Sequence, residues 1–146
     1  MIRVGIQTDA IDIAAELARI EAAGAGGVAS FTGIVRADDG VSALELEHYP
    51  GATEAALQEL ARGAMARWAL LAATIIHRVG VMQPGERVVF VATAAAHRAA
   101  ALVSCAYLID RLKTDAPFWK RERVGQEARW VEARGSDDAA AARWDR

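Results

Sequence analysis

"VASFTGIVRADDGVSALELEHY", residues 28–49, is the stretch on which the fold reading turns. Residues 28–36 alternate as a strand, with Thr32, Ile34 and Arg36 on one face and Phe31, Gly33 and Val35 on the other. Residues 41–49 set Leu44, Leu46 and His48 against Glu45 and Glu47, the pattern of a half-buried strand. Between them "ADDG", 37–40, fits a turn of hairpin type. Consecutive strands joined by a short turn pair antiparallel, so the stretch predicts a hairpin and an antiparallel sheet.

Outward from this stretch the same logic holds. Towards the N-terminus, 2–6 reads as a strand and 8–24 as a helix, capped by Thr8 or Asp9 and closed by Gly24. "GAGG", 24–27, is a turn and not a phosphate loop, since it precedes a strand and lacks the Lys-Ser/Thr ending. Towards the C-terminus, 50–68 predicts a helix with an apolar stripe at 57, 60, 61, 64, 65 and 68. Strands follow at 73–80 and 87–95 around a turn at 82–86, and 87–95 is apolar enough to be central. Residues 96–114 predict a helix with a stripe at Leu102, Cys105, Ile109 and Leu112, stopped by Pro117. A final hairpin is expected from 118–124 and 128–134 around "GQEA", then a short Ala-rich tail from about 136, capped by Ser136. The order β-α-β-β-α-β-β-α-β-β predicts one α+β domain over 1–146, with a mainly antiparallel sheet and three main helices.

Composition narrows the function. A net charge of −2 argues against a nucleic-acid arm or a polybasic membrane patch. No apolar run reaches the ~20 residues needed to span a bilayer, and the N-terminus lacks a signal-peptide pattern. With one cysteine, no intrachain disulfide forms, and zinc spacings are missing. The expectation is a reduced, cytoplasmic protein.

Cys105 lies on an apolar helix stripe and reads as a small core hydrophobe. The histidines, His48, His77 and His97, form no metal-binding pair, so no metal is expected. His97 and Arg98 open a helix, where free N–H groups and the helix dipole favour an anion; a solvated first turn is the competing reading. Arg36 and Arg134 end strands, where arginine usually faces solvent, and Glu45 with Glu47 reads as a solvated sheet face. Lys113 and Lys120 are seven apart, but Pro117 puts them on different elements. Lys113 suits the helix dipole; a lysine beside Phe118 and Trp119 could instead be desolvated into a base or nucleophile. Fifteen helical residues separate Arg98 from Lys113, roughly 22 Å, so one straight helix cannot bring both to one small ligand. If both serve one site, either the helix is broken or two subunits share the site; the second option is the expectation, and it predicts a homodimer with shared sites.

"FTGIVR" (31–36), "LEHYPG" (46–51), "HRVG" (77–80), "PGE" (84–86), "AHR" (96–98), "LKTDAPFWKRE" (112–122) and "RWVEAR" (129–134) occur in an order and spacing that resemble the large, catalytic subunit of molybdopterin synthase. The resemblance runs from about residue 27 to the C-terminal tryptophan. It implies an α/β-hammerhead-like fold with additional antiparallel sheet. It implies sulfur transfer from the C-terminal thiocarboxylate of a small ubiquitin-like carrier subunit (MoaD-type) to cyclic pyranopterin monophosphate (precursor Z), forming the dithiolene of molybdopterin. It also implies a homodimer with one small subunit at each end, a heterotetramer, and no cofactor. By motif position, Lys113 and Lys120 are the implied catalytic pair. Arg36, His97, Arg98 and Arg134 are the implied anion-binding set, with Arg121 and Glu122 flanking Lys120 in one pocket wall and Ile34 and Val35 leading into Arg36. The short "ADDG" turn departs from the longer loop expected there. The competing class is a non-catalytic module that binds an anion or a ubiquitin-like partner.

Overall fold

The hairpin expected from 28–49 does not form. The computed structural model describes the backbone of residues 1–36, 40–124, 127–131 and 135–145, and their side chains except in 127–131 and 135–137. In it β1 (Ile2–Gln7), β4 (Ala72–Arg78), β6 (Arg87–Ala95) and β2 (Gly27–Ile34) make one sheet, in the order β1-β4-β6-β2. A second sheet has the order β5 (Gly80–Met82), β3 (Val41–His48), β7 (Phe118–Val124), β8 (Glu127–Val131). The two halves of 28–49 therefore belong to different sheets.

The reason lies in β6. It is buried over its last seven residues, so it needs a neighbour on each side, and β2 and β4 supply them. β3 keeps its alternation, with Leu44 and Leu46 buried and Glu47 exposed, and suits a sheet with one solvated face. Val35 completes the separation: its N–H donates to the Glu86 carbonyl (2.9 Å) and its carbonyl accepts from Gly85 N–H (2.8 Å). That ties the end of β2 to the turn before β6. The "ADDG" turn itself falls mostly outside the described residues. The antiparallel expectation survives, because every described pairing except β1–β4 is antiparallel.

Three further expectations shift. The strand expected over 73–80 ends at Arg78, and Gly80, at φ 93°, turns the chain into β5 of the second sheet. The helix expected from residue 8 is α1 (Ile13–Glu21), capped by Asp12, whose carboxylate accepts from Ala15 N–H (3.1 Å). Neither Thr8 nor Asp9 caps it, because the Thr8 carbonyl is taken by the buried Arg78 guanidinium (Nη2, 2.8 Å), which holds residue 8 against β4. On α3 (Arg98–Asp115) the buried stripe is Ala101, Ser104, Cys105, Leu108 and Leu112, while Leu102 is 63% exposed. Ser104 is buried because its hydroxyl donates back to Ala101 O (3.2 Å), a bond no apolarity pattern reveals.

α2 (Ala52–Trp68) and α3 cover one face of the first sheet over a core including Leu57, Ala61, Ile75, Val91 and Leu108. α1 covers the other face over Ile76, Phe90 and Ile20. Val35, Leu44, Leu46 and Met82 form a smaller cluster where the second sheet begins. The expected final hairpin forms from β7 and β8. The tail is α4 (Gly135–Ala142) followed by a 3-10 turn at Arg143–Asp145. The turn is docked: Trp144 sits edge-on to Tyr107 (5.5 Å) and Trp68 (5.9 Å), and its indole N–H donates to Asp110 (2.8 Å).

Candidate functional site

α3 decides where the candidate residues fall. It follows β6 directly and runs back along it. Thr93 Oγ1 donates to Ala101 O (2.7 Å), and Cys105 Sγ lies 3.9 Å from Val91 O, so the helix descends as the strand is retraced. β2 is antiparallel to β6 and therefore runs the same way as α3. Gly26 and Gly27 sit at the helix start: a Cβ on Gly26 would meet Ala96 O at 2.1 Å, so only glycine lets the chain cross this close.

The implied site residues thus divide between two ends of the molecule. His97 and Arg98 are exposed at the start of α3 beside Gly27, and His97 caps the helix without a side-chain bond. Ile34 ends β2 and Val35 and Arg36 follow it, about 23 Å or more from Gly27 at ~3.3 Å per residue. Lys113, in the last turn of α3, lies at that same far end. α3 is one unbroken helix, so the roughly 22 Å between Arg98 and Lys113 stands. Ile34 is exposed and Val35 buried. Arg134 lies outside the described residues.

The corner between the lysines is well defined. Ala116 makes the last helical bond, to Leu112 O (3.3 Å), and then adopts ψ 128°, as expected before proline. Lys120 pairs across β3 with Leu46 and Phe118 with His48, so Phe118, Lys120 and Glu122 share one face of β7. Arg121 is on the opposite face, against Glu45, whose carboxylate it approaches at 3.5 Å with Arg123 at 3.9 Å. Glu45 therefore balances that cationic face, and Arg121 does not share a wall with Lys120.

His77, in β4, is not among the implied site residues. Its ring stacks on Phe118 (centroids 4.1 Å, planes 25° apart). Burial pushes it down to about 4, and the nearby charges of Lys113 and His48 act in the same direction. It is neutral near pH 7, and Nδ1–H donates to Arg78 O (2.8 Å). "HRVG" held the signal, but nothing local tied it to Phe118. Burial likewise pushes the Cys105 thiol up to about 11, which leaves no thiolate to act as nucleophile. Among the described residues no cluster of His, Cys, Asp or Glu could hold a metal, and no helix is long and apolar enough to cross a membrane.

At one end, then, two lysines flank the Pro117 corner and Arg36 follows β2; at the other, a histidine and an arginine stand at a helix N-terminus. Such cationic groups can hold phosphate and stabilise the oxyanion that develops in acyl transfer.

Comparison with known proteins points to one family. The model of the family described as MoaE protein matches residues 6–115. A molybdopterin synthase catalytic subunit of Ralstonia nicotianae is 47% identical over 146 residues, covering 97% of this chain and 83% of that protein. One of Caulobacter vibrioides is 54% identical over 121 residues, covering 82% and 81%. The solved molybdopterin biosynthesis MoaE protein of Burkholderia ambifaria superposes with a TM-score of 0.86 at 49% identity, covering 99% of each chain.

Proposed function

This chain belongs to the MoaE protein family, and we propose that it is the catalytic subunit of a molybdopterin synthase. In this reading it takes sulfur from the C-terminal thiocarboxylate of a small ubiquitin-like subunit and delivers it to cyclic pyranopterin monophosphate. The carrier brings the sulfur, which agrees with a cysteine that is buried and protonated.

Lys113, exposed in the last turn of α3, meets the incoming thiocarboxylate and stabilises the charge that develops during attack and release. Lys120 acts as proton donor or acceptor beside the pterin. Arg36, His97, Arg98 and Arg134 hold the pterin and its phosphate through charge-assisted bonds. Glu122 shares the face of β7 with Lys120 and lies beside the same site, whereas Arg121 supports the strand from behind through Glu45.

The observation that carries this reading is the division of the cationic set along α3. One chain offers the lysines and Arg36 at one end and His97 with Arg98 at the other. A homodimer in which each site takes its lysines from one chain and His97 with Arg98 from its partner resolves the division. The small subunit adds to each site, giving a heterotetramer.

The test is incubation with precursor and thiocarboxylated small subunit, followed by oxidation to a fluorescent pterin. Product supports the enzyme; partner binding without product supports a scaffold. Mixing a Lys113→Ala chain with an Arg98→Ala chain should restore part of the activity in verified mixed dimers, and no recovery there would count against a shared site.

A further inference from the structure

The corner between the two lysines is held from outside by a residue far away in sequence. Thr53 is the second residue of α2, and it is 0% exposed. Its hydroxyl donates to the Pro117 carbonyl (2.8 Å) and accepts from Tyr49 N–H (2.9 Å). Both directions follow from chemistry, since a carbonyl can only accept and an amide N–H can only donate. A second contact comes from the other side, where His77 stacks on Phe118.

Three consequences follow from that geometry. Past Ala116 the backbone has left the helix, and proline has no N–H with which to anchor itself. Between the last helical bond at Ala116 and the first ladder pair at Phe118, the Pro117 carbonyl is the main-chain group that a side chain fixes, and Thr53 is its partner. Lys113 lies three residues before Ala116 and Lys120 three after Pro117, so a tilt of this peptide moves the two amines relative to each other. Thr53 also bonds the end of β3 through Tyr49, and β3 carries Leu46 opposite Lys120. One hydroxyl thus references the helix that bears Lys113 and the strand pair that bears Lys120 to the same point.

We propose that Thr53 is a positioning residue for the lysine pair: its hydroxyl fixes the Pro117 carbonyl and, through it, the separation of Lys113 and Lys120. This rests on the reading of those lysines as the reacting groups. A displacement of about 1 Å in such a pair can lower turnover on the order of 100-fold without changing what the site binds.

The test compares Thr53→Val, Thr53→Ala and Thr53→Ser in the complex with thiocarboxylated small subunit, at a temperature where circular dichroism shows each folded. Thr53→Val should lower kcat about 10- to 100-fold with KM for the pterin substrate within about twofold. Thr53→Ser, which keeps the hydroxyl, should stay within about threefold of the parent. If Thr53→Val fails to fold, Thr53→Ala takes its place in the comparison with Thr53→Ser. A folded Val or Ala variant with parental kcat overturns the proposal, and so does a Ser variant as slow as the Val or Ala one. Lys113→Ala and Lys120→Ala run in the same assay separate the two levels. Active lysine variants would overturn the reading of the site, whereas inactive lysine variants beside an active Thr53→Val would overturn the positioning role alone.

Discussion

The two ends of α3 differ in how they are built. At the N-terminal end His97 and Arg98 are exposed, and the cap makes no side-chain hydrogen bond. The first-turn N–H groups and their partial positive charge face outward. At the C-terminal end the chain is tied down: Ala116 closes the helix, Thr53 holds Pro117, and His77 lies against Phe118. One end presents charge to something that arrives, while the other holds two amines in a fixed relation. Under the proposed function, binding and chemistry would fall at opposite ends of one unbroken helix, an arrangement that two copies of the chain would bring together.

The strongest way to break this comparison is at the tied end. Lys113→Ala or Lys120→Ala should lower molybdopterin formation by about 1000-fold or more while dimerisation persists, checked by the fluorescent-pterin assay and gel filtration. A Lys113→Ala protein with normal turnover would sink the assignment.

His77 tests the packing beneath the corner. Its folded value of about 4 lies below the ordinary 6.5, so the unfolded chain takes up a proton first as pH falls. Its share of stability is fully present above pH 6.5 and is lost between there and pH 4, about 3 kcal/mol in total. Urea melts of the parent and of His77→Gln across that window should show the parent's slope reduced in the variant; equal slopes would remove His77 from the account.

The open end should respond differently. Arg98→Ala should raise KM for the pterin substrate roughly 10- to 100-fold, the value of a charged hydrogen bond, with a smaller change in kcat. A pure kcat loss would place Arg98 with the chemistry instead. The smallest effect belongs to the second turn of the helix, where Leu102→Ser should change the stability of the isolated chain by no more than about 0.5 kcal/mol because Leu102 is mostly exposed. A loss of about 2 kcal/mol or more, the scale of a core deletion, would mean that Leu102 is covered in solution.

Much of the site was legible one residue at a time. Pro117 ends α3 where the sequence places the stop, the lysines fall on different elements, and α2 keeps its apolar stripe at Leu57, Leu60, Ala61 and Ala64. Cys105 is in the core, as its place on the stripe predicts. What failed was pairing and facing. The 28–49 hairpin gave way to β6, Leu102 yielded to Ala101 and Ser104, and Arg121 turned away from Lys120.

By itself the sequence determined the local events: where helices and strands run, that proline separates Lys113 from Lys120, and that fifteen helical residues hold Arg98 away from Lys113. These follow from sterics, periodicity and helix rise, which act within a few residues. Only the tertiary structure decided that β2 and β3 part company, and that Thr53 and His77 meet the Pro117 corner. Those are outcomes of competition between segments distant in the chain, settled by which burial satisfies most apolar surface and most backbone groups at once, and no short window of sequence contains both competitors.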